Sequence, residues 1–420
     1  MRIGVITDRY APEARAAATQ MQGLAEGLAG RGHEVTVITR RPSESVPGAD
    51  FRTLPARERL NGVEVLRLEH LSGSHRIWLR AADQAWLAAR ATWSALRGRR
   101  YDALLVSSPP LLWDLPGIAG SFLGTPFVLS LHDLWPQAAV DLGVLRNPAF
   151  IAAGRALERL LYRRARFILT DAPSNLQTLQ RRHGIDPDRM DLLWSFTPDQ
   201  AWEPPATPGA FRRRHGLEGK FVILYAGLLG LAQDLDLVLE AARRSSGDPG
   251  RAFVLMGDGP RAAEIRRQAA SLPNVLCLPP AGCDGYFEAV RASDLCLVPL
   301  VRELRAPSVP AKLSAIMASR RPVVAALPPG NDARLVVEES GGGLVVEAGD
   351  APALMTAIER VEREPGLADR LARNGYDFAW RNFRRAPAVD RCELALAYAC
   401  GQDPGAAPNR RGAPCTLSYS

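Results

Sequence analysis

The fold class is decided by residues 253–260, which read FVLMGDGP. The apolar residues ending at Met256 are typical of a buried strand, Gly257 and Gly259 allow a sharp turn, and Pro260 suits the start of a helix. The further strands predicted in this half are residues 222–226, 275–278, 295–299, 323–326 and 343–346. Because helical patterns separate them, the alternation predicts a parallel sheet covered by helices on both faces.

The first half of the chain shows the same alternation. Its predicted strands are Ile3–Thr7, Glu34–Thr39, Val63–Leu68, Ala103–Ser107, Phe127–Leu131 and Phe167–Thr170, and its predicted helices are Ala16–Ala29, Trp78–Leu96, Pro148–Tyr162 and Ser174–Arg182. A proline-rich stretch between the halves is typical of a linker. We therefore predict an α/β protein of two Rossmann-like domains. The boundaries are 1–200 for the first domain, 201–219 for the linker, 220–380 for the second domain, 381–400 for a final helix and 401–420 for a disordered tail.

The composition fits a globular protein with room for two cores. Of the 420 residues, 47% are hydrophobic and 23% are charged, close to the average for globular proteins. No apolar run reaches the roughly 18 uncharged residues of a membrane-spanning helix, and Asp8 and Arg9 interrupt the apolar core that a signal peptide needs. The 6 cysteines form no C-x-x-C pair. We therefore expect a cytoplasmic protein with reduced thiols, no bound metal and no cofactor.

The positive charge is concentrated in one segment. The net charge is +7, and residues 51–100 alone contribute +6, from 10 arginines minus 4 acids. Because nucleic-acid binding needs a broader basic surface and its motifs are absent, we expect no nucleic-acid partner.

Residues 75–100 place tryptophans and arginines at helical spacing. Basic helices with tryptophan lie on anionic membranes, whereas a surface helix packed on its own sheet is the alternative. The predicted membrane contacts are Arg76, Trp78, Arg80, Trp86, Arg90 and Trp93.

Two motifs of the second half point to an anion. The turn Gly257–Pro260 opens a helix whose first amides favour negative charge, although a plain strand-to-helix turn has the same pattern. Residues 308–313, SVPAKL, begin another helix, and Lys312 adds a positive charge there. A solvated lysine on a first helical turn is the alternative. The chain lacks both the G-x-G-x-x-G fingerprint and the P-loop motif, which disfavours nicotinamide enzymes and excludes P-loop chemistry.

One histidine follows a predicted strand of the first half. His132 comes directly after the strand that ends at Leu131, and ligands of open α/β sheets bind at that edge. A histidine there can hydrogen-bond a substrate hydroxyl. A structural role is the alternative. Trp135 could stack on a sugar or be buried.

Several segments together resemble one family. They are YAGLLGLAQDLDLVLEAA (225–242), FVLMGDGP (253–260), DLCLVPL (294–300), VPAKLSAIMASRRPVVAA (309–326), GHEVTVIT (32–39), SPPLL (108–112), HDLWPQAAVDLGVLRN (132–147) and LERLLYRRA (157–165). They look like the retaining glycosyltransferases of family 4, which have the GT-B fold. The bacterial branch that builds capsule, exopolysaccharide and O-antigen units is the most similar.

The resemblance implies two domains with a cleft between them and a last helix that crosses back to the first domain. It implies a nucleotide-sugar donor, often a UDP-sugar, and a polyprenyl-linked or saccharide acceptor at the inner membrane face, which makes the expected location peripheral. Metal is not required in this family. The alternative is a catalytically degenerate GT-B protein that acts as a partner in polysaccharide assembly.

Site residues follow from the same resemblance. His132 and Lys312 match catalytic positions. The expected nucleotide-sugar contacts are Gly227, Gln233, Gly257, Gly259, Pro260, Ser308, Val309 and Leu313. Glu13 and Arg15 match an acceptor or phosphate loop. The chain departs from the family pattern at Pro307 and Ala315, where glutamates are usual, and at Leu228 and Leu229, near the usual diphosphate-binding arginine and lysine.

Overall fold

The computed structural model describes residues 1–13, 16–42, 54–71, 77–97, 101–141, 145–203, 209–304 and 309–402. The chain divides into two compact units. The first consists of Met1–Ser195 together with the chain from Arg385 onward, and the second is Phe196–Arg384. Each unit contains one sheet with its own hydrophobic core.

The first unit is built on an eight-stranded sheet. Its strands are β1 (Arg2–Ile6), β2 (Glu34–Arg40), β3 (Arg57–Leu60), β4 (Val63–Leu68), β5 (Ala103–Ser108), β6 (Phe127–Leu131), β7 (Phe167–Thr170) and β8 (Met190–Leu192). Its helices are α1 (Ala16–Gly30), α2 (Ile77–Leu96), α3 (Leu115–Phe122), α4 (Gln137–Asp141), α5 (Pro148–Arg164) and α6 (Pro173–His183), with 3₁₀ helices at Leu111–Asp114 and Pro187–Arg189.

The order of this sheet is β3-β4-β2-β1-β5-β6-β7-β8. All neighbouring strands are parallel except β3 and β4. The six predicted strands are present. The two strands that were not predicted lie at the edges: β3 is polar and partly exposed, and β8 has only 3 residues. Neither carries a hydrophobic pattern long enough to be recognised in a sequence.

The second unit is built on a six-stranded parallel sheet. Its strands are β9 (Phe221–Ala226), β10 (Arg251–Met256), β11 (Val275–Leu278), β12 (Leu295–Pro299), β13 (Val323–Leu327) and β14 (Gly343–Glu347). Its helices are α7 (Ala210–His215), α8 (Leu235–Arg244), α9 (Ala262–Ala269), α10 (Cys283–Ala292), α11 (Ala311–Ala318), α12 (Asp332–Ser340), α13 (Ala351–Arg363) and α14 (Leu367–Asn382), with a 3₁₀ helix at Asp199–Trp202. All six strands are those predicted from the sequence.

The strand order β11-β10-β9-β12-β13-β14 places a topological switch point between β9 and β12. From β9 the chain proceeds to one side of the sheet, and from β12 it proceeds to the other. Ligands of open α/β sheets bind outside the carboxyl ends of the strands at such a point. In the first unit, the equivalent position lies between β1 and β5.

The last helix, α15 (Arg385–Ala399), belongs to the first unit. It packs against α1, where Gly27 allows a close approach: a Cβ built on Gly27 would lie 2.4 Å from a Cγ atom of Val389. Arg31 and His33 bond to Glu393 of the same helix. Residues from the C-terminal part of the chain therefore complete the packing of the first unit.

The boundary between the units differs from the predicted linker over 201–219. The second unit begins at Phe196, and α7 lies inside the predicted linker and packs on this unit. Phe211 of α7 is buried, and the Arg212 guanidinium pairs with Asp294 at 2.7 Å. Of the prolines that suggested a linker, Pro204, Pro205 and Pro208 lie outside the described residues. The predicted tail lies almost entirely outside them as well.

Candidate active site

Two loops meet at the switch point of the second sheet. The loop after β9 and the turn after β10 are joined by three backbone hydrogen bonds: Gly227 N donates to Met256 O at 2.9 Å, Leu229 N to Asp258 O at 2.8 Å, and Arg261 N to Leu229 O at 3.0 Å. The two segments therefore form one surface at the carboxyl edge of the sheet.

The glycines of these loops are required by the closeness of the two backbones. A Cβ built on Gly257 would lie 1.9 Å from the carbonyl oxygen of Gly227, and one built on Gly259 would lie 2.6 Å from the carbonyl oxygen of Leu229. The φ angles of Gly257 and Gly259 are 156° and 152°, which side chains rarely adopt. The predicted glycine turn is thus a site of close backbone approach.

We expect Gly257→Ala to lower the free energy of unfolding by about 1–3 kcal/mol, because the added methyl group collides with backbone that cannot move aside. The urea midpoint of the second unit measures the effect. Gly282→Ala is the matched control, since a Cβ there meets nothing within 4 Å. Equal midpoints for the two variants would contradict this account of the turn.

Lys312 lies beside the same loop. Its Nζ donates to the hydroxyl of Tyr225 at 2.9 Å and lies 4.0 Å from the centre of that ring. The Tyr225 hydroxyl in turn donates to Leu228 O at 2.6 Å. A Cβ built on Gly227 would lie 3.2 Å from the same Nζ, so the ammonium group reaches the backbone of the loop.

The ammonium group of Lys312 has no counter-ion among the described residues. No carboxylate of that part of the chain contributes to its shifted pKa, for which burial is the sole cause. Removal from water lowers the pKa of Lys312 to about 7. A desolvated cation with a hydrogen-bonded position and no acid to neutralise it favours the binding of an anion.

The start of α11 carries Lys312, but not every amide of its first turn is free to bind a ligand. Leu313 N already donates to Pro310 O at 2.8 Å, and the Leu313 side chain is fully buried in the core. Leu313 therefore offers neither a free amide nor an exposed side chain at this site. The amides of Ala311 and Lys312 have no acceptor within the helix because they lie in its first turn. Val309 is half-buried, and Ser308 lies outside the described residues.

The remaining predicted residues of the loop differ in exposure. Gln233 lies near the loop, and its Oε1 is buried without a hydrogen-bond partner. Leu228 and Leu231 are exposed by 59% and 76%. Pro260 is also exposed. The loop thus offers an amide and apolar side chains, and the positive charge comes from Lys312.

In the first unit, His132 lies at the carboxyl edge of the sheet, directly after β6. Its Nδ1 bonds to Oδ2 of Asp171, which follows β7, at 3.0 Å. The Nε2 atom of the same ring is buried and has no partner. Asn175 donates to the carbonyl oxygen of His132 at 3.4 Å and to Thr170 Oγ1 at 3.0 Å. One nitrogen of the ring is therefore fixed by the protein, and the other remains for a ligand.

Acidic groups surround His132. Burial on its own lowers the pKa of His132, but the charge and hydrogen bond of Asp171 and the charges of Asp133 and Asp8 outweigh burial and raise this pKa above its usual value. Burial, and then the charge of Asp171, raise the pKa of the Asp133 carboxyl. Asp171 is therefore a second charged group at the site, beside His132, and it was not predicted from the sequence.

We expect Asp171→Asn to lower the pKa of the His132 imidazole, because the neutral amide no longer stabilises its protonated form. Titration of the ring by NMR measures this change. Asp133→Asn is the matched control, since Asp133 contributes less to the raised pKa. A fall in Asp171→Asn no larger than in Asp133→Asn would mean that Asp171 does not hold the ring.

Two other predicted features of the first unit have structural partners. The Glu13 carboxylate is buried and pairs with Arg40 at 3.1 Å and with Arg9 at 3.0 Å. Arg15 lies outside the described residues. Trp135 is half-buried and packs against the hydrophobic core of the first unit.

The predicted membrane segment is only partly described. Its helix is α2, in which Leu87 and Ala91 are buried in the core, whereas Trp86 is 43% and Trp93 60% exposed. Arg90 is exposed. Arg76 and the side chains of Trp78 and Arg80 lie outside the described part. The helix thus packs on its own sheet and also presents tryptophans to solvent.

The structure brings Gly227, Gly257, Gly259 and Lys312 together at the switch point of the second unit. His132 belongs to the first unit, and each group is described within its own unit. Tyr225 and Asp171 were missed because a tyrosine inside a strand and an acid after one are common in sequences. Within the described ranges, no group of three or more His, Cys, Asp or Glu residues could hold a metal ion.

Comparison with known protein families covers both units. Residues 15–193 match the glycosyl transferase 4-like domain, and residues 220–364 match the glycosyl transferases group 1 domain. No helix of the described chain is long and apolar enough to cross a membrane.

Individual relatives and a solved structure agree with the family matches. A 2-deoxystreptamine N-acetyl-D-glucosaminyltransferase of Streptomyces fradiae is 28% identical over 423 residues, 93% of each chain. The putative colanic acid biosynthesis glycosyl transferase WcaI of Escherichia coli (strain K12) is 24% identical over 332 residues, 76% of this chain and 81% of WcaI. The crystal structure of HepE from Anabaena in complex with UDP has a TM-score of 0.70 at 17% identity and covers 95% of this chain and 100% of HepE. HepE has also been solved with UDP-glucose.

With two Rossmann-like sheets of the GT-B fold, the chain belongs to the glycosyltransferase enzymes and consists of a glycosyl transferase 4-like domain followed by a group 1 domain.

Proposed function

We propose that this enzyme transfers a hexose from a UDP-sugar, with retention at the anomeric carbon, to a polyprenyl-linked or saccharide acceptor in the synthesis of a cell-surface polysaccharide. The observation that carries the proposal is Lys312 at the switch point of the second sheet. There a desolvated ammonium group, without a counter-ion among the described residues, lies beside Gly227 at the carboxyl edge of the sheet, where ligands of α/β sheets bind.

The donor is proposed to bind to the second unit. Lys312 and the first amides of α11 stabilise the diphosphate as charge builds on the leaving group. Gly227, Gly257, Gly259 and Pro260 provide backbone contacts to the nucleotide-sugar, and Gln233 offers its unpartnered amide oxygen. HepE has been crystallised with UDP and with UDP-glucose, which supports a UDP-sugar as the donor.

The reacting sugar is proposed to contact His132 of the first unit. Asp171 holds the imidazole so that the buried Nε2 can bond to a sugar hydroxyl. A same-face substitution would give retention: the glycosidic bond to the leaving phosphate breaks, the acceptor oxygen bonds to the same face, and the phosphate oxygen takes the acceptor proton. His132 has no nucleophilic role in this scheme.

The acceptor is proposed to be held at a membrane. The name of WcaI places that relative in colanic acid biosynthesis, which supports a polysaccharide substrate. The Streptomyces fradiae relative acts, by its name, on 2-deoxystreptamine, a small molecule, and represents the soluble-acceptor alternative. The proposed location is therefore the cytoplasmic membrane surface, contacted through the segment that includes Trp86, Arg90 and Trp93.

Transfer from labelled UDP-glucose tests the proposal. The enzyme is incubated with the labelled donor and polyprenyl-linked or soluble saccharide acceptors, UDP release is measured, and the anomeric configuration of the product is determined by NMR. We expect UDP release that depends on an acceptor, and a product with the configuration of the donor. An inverted product would refute retention. Absence of UDP and UDP-glucose binding would favour the non-catalytic partner instead.

A further inference from the structure

Three helices of the first unit lie side by side on one face of its sheet. Helix α2 packs on α3, and α3 packs on α5. The inward residues Leu87, Ile118 and Leu161 belong to the same hydrophobic core. We call the outward side of α2, α3 and α5 the three-helix face.

The three-helix face exposes large apolar side chains on each of its helices. Trp93 at the end of α2 is 60% exposed, and Phe150 at the start of α5 is 67% exposed. Phe122 and Leu123 at the end of α3 are 59% and 70% exposed. Single exposed apolar residues are ordinary on a protein surface, but large apolar side chains exposed on all three neighbouring helices favour an interaction site.

The exposed charges of the three-helix face all have one sign. Every described residue of α2, α3 and α5 that is both charged and exposed is an arginine, and Arg97 directly after α2 continues the series. The exposed arginines are Arg90, Arg97, Arg155, Arg159, Arg163 and Arg164. Arg155, Arg159 and Arg163 are four residues apart and form a stripe along α5.

The acids of these helices are buried. Asp83 of α2 bonds to His70 Nδ1 at 2.7 Å and accepts from Leu71 N at 2.7 Å. Glu158 of α5 accepts from the Tyr162 hydroxyl at 3.0 Å, and burial raises its pKa. The acids that would balance the arginines in the sequence therefore do not balance them at the surface.

Arginines and aromatic rings are paired on the three-helix face. The Arg164 guanidinium of α5 lies 3.7 Å from the centre of the Phe122 ring of α3, which joins two helices. Arg97 lies 4.3 Å from the centre of the Trp93 ring. Aromatic side chains favour the headgroup region of a membrane, and arginines are attracted to anionic headgroups.

We propose that the three-helix face docks on an anionic lipid bilayer. The proposal rests on the membrane contact proposed above for α2 and extends it to α3 and α5. The occupant follows from charge complementarity. Two copies of a face whose exposed charges are all positive repel each other, which disfavours a dimer through it. A bilayer with anionic lipids satisfies both the arginines and the exposed aromatic rings.

Co-sedimentation of the full chain with vesicles tests the proposal. Vesicles of phosphatidylcholine with phosphatidylglycerol are compared with pure phosphatidylcholine at low and at high salt. We expect binding only to the anionic vesicles and release at high salt. The combined substitution Arg155→Gln, Arg159→Gln and Arg163→Gln should weaken partition by about a hundredfold, since each arginine near an anionic surface contributes roughly fivefold.

A matched variant controls for charge alone. Arg267→Gln, Arg363→Gln and Arg373→Gln remove three exposed arginines of the second unit, and this variant should bind vesicles like the unmodified protein. A further variant, Leu123→Ser with Phe150→Ser, tests the apolar part and should also bind less. Circular dichroism and UDP-glucose binding without vesicles verify that each variant is folded.

Three results would overturn the proposal. They are absence of binding to anionic vesicles, equal losses in the two arginine variants, and a dimer that the Leu123→Ser and Phe150→Ser substitutions dissociate. Loss of vesicle binding with intact UDP-glucose transfer to a soluble acceptor would refute docking alone. Vesicle binding without any UDP-glucose binding would refute the proposed donor and leave docking in place.

Discussion

Replacing Lys312 with alanine is expected to reduce the turnover of a UDP-sugar roughly 30- to 1,000-fold. This factor corresponds to a loss of about 2–4 kcal/mol of transition-state stabilisation. The leaving diphosphate gains charge in the transition state, and Lys312 is placed to stabilise it without a competing carboxylate among the described residues. Steady-state release of UDP measures the loss. The matched control is Lys220→Ala, because Lys220 and Lys312 are the only lysines of the chain.

The pH dependence separates a direct role of Lys312 from a structural one. The pKa of Lys312 is lowered to about 7, so its positive charge is lost as pH rises through that value. Only the protonated form attracts the diphosphate, so the affinity for UDP-glucose should fall as pH rises through neutrality. The diphosphate of a UDP-sugar is a diester that does not titrate in this range. Calorimetric titration should show the fall in the unmodified protein and its absence in Lys312→Met.

Unchanged turnover in Lys312→Ala would refute this assignment. The fold should tolerate the substitution, because the variant removes a cation that is costly to desolvate and leaves the Tyr225 hydroxyl bonded to Leu228 O. Lys312→Arg need not restore activity, since the planar guanidinium has a different geometry from the ammonium group.

Replacing His132 with alanine is expected to reduce turnover by about a hundredfold or more and to leave UDP affinity almost unchanged. The proposed UDP contacts all lie in the second unit, whereas His132 lies in the first. The loss should therefore appear in kcat for the sugar donor, measured beside the Kd of UDP. His132→Gln keeps a polar group near the Nε2 position and should recover part of the activity.

Equal losses of turnover and UDP affinity in His132→Ala would indicate a disturbed fold. The result can then be compared with Asp171→Asn, which keeps the imidazole and changes only the group that orients it. If His132 contacts the sugar, Asp171→Asn should reduce kcat less than His132→Ala does. The reverse order would assign the main role to Asp171.

The sheets of both units follow from local patterns that the sequence displays. Strands such as β5 (ALLVSS) and β10 (RAFVLM) are buried along their whole length, so most of their residues are apolar. The edge strands β3 and β8 have no such pattern, because β3 is polar and only partly covered and β8 has only 3 residues. The unit boundary was misplaced for a related reason: prolines indicate a break in regular structure but not which core the next helix joins.

In the candidate site, too, some features have a local sequence pattern and others do not. Gly257, Gly259 and Lys312 were predicted because glycines after a strand and a lysine at a helix start have recognisable local signatures. The hydrogen bond from Lys312 to Tyr225 joins residues 87 positions apart, and that from His132 to Asp171 joins residues 39 apart. Such partners cannot be identified from spacing along the chain, since the order of the strands decides which side chains meet.

The surface charge of α2, α3 and α5 shows most clearly what the sequence determines and what the tertiary structure decides. From the sequence, the excess of arginine in residues 51–100 and the tryptophans of α2 were visible, and they indicated an anionic membrane surface. Only the tertiary structure places Phe122 of α3 beside Arg164 of α5 and buries Asp83 and Glu158. The sequence determined which charges the helices carry, whereas packing on the sheet decided which of them reach water, because a helix turns one side to the core.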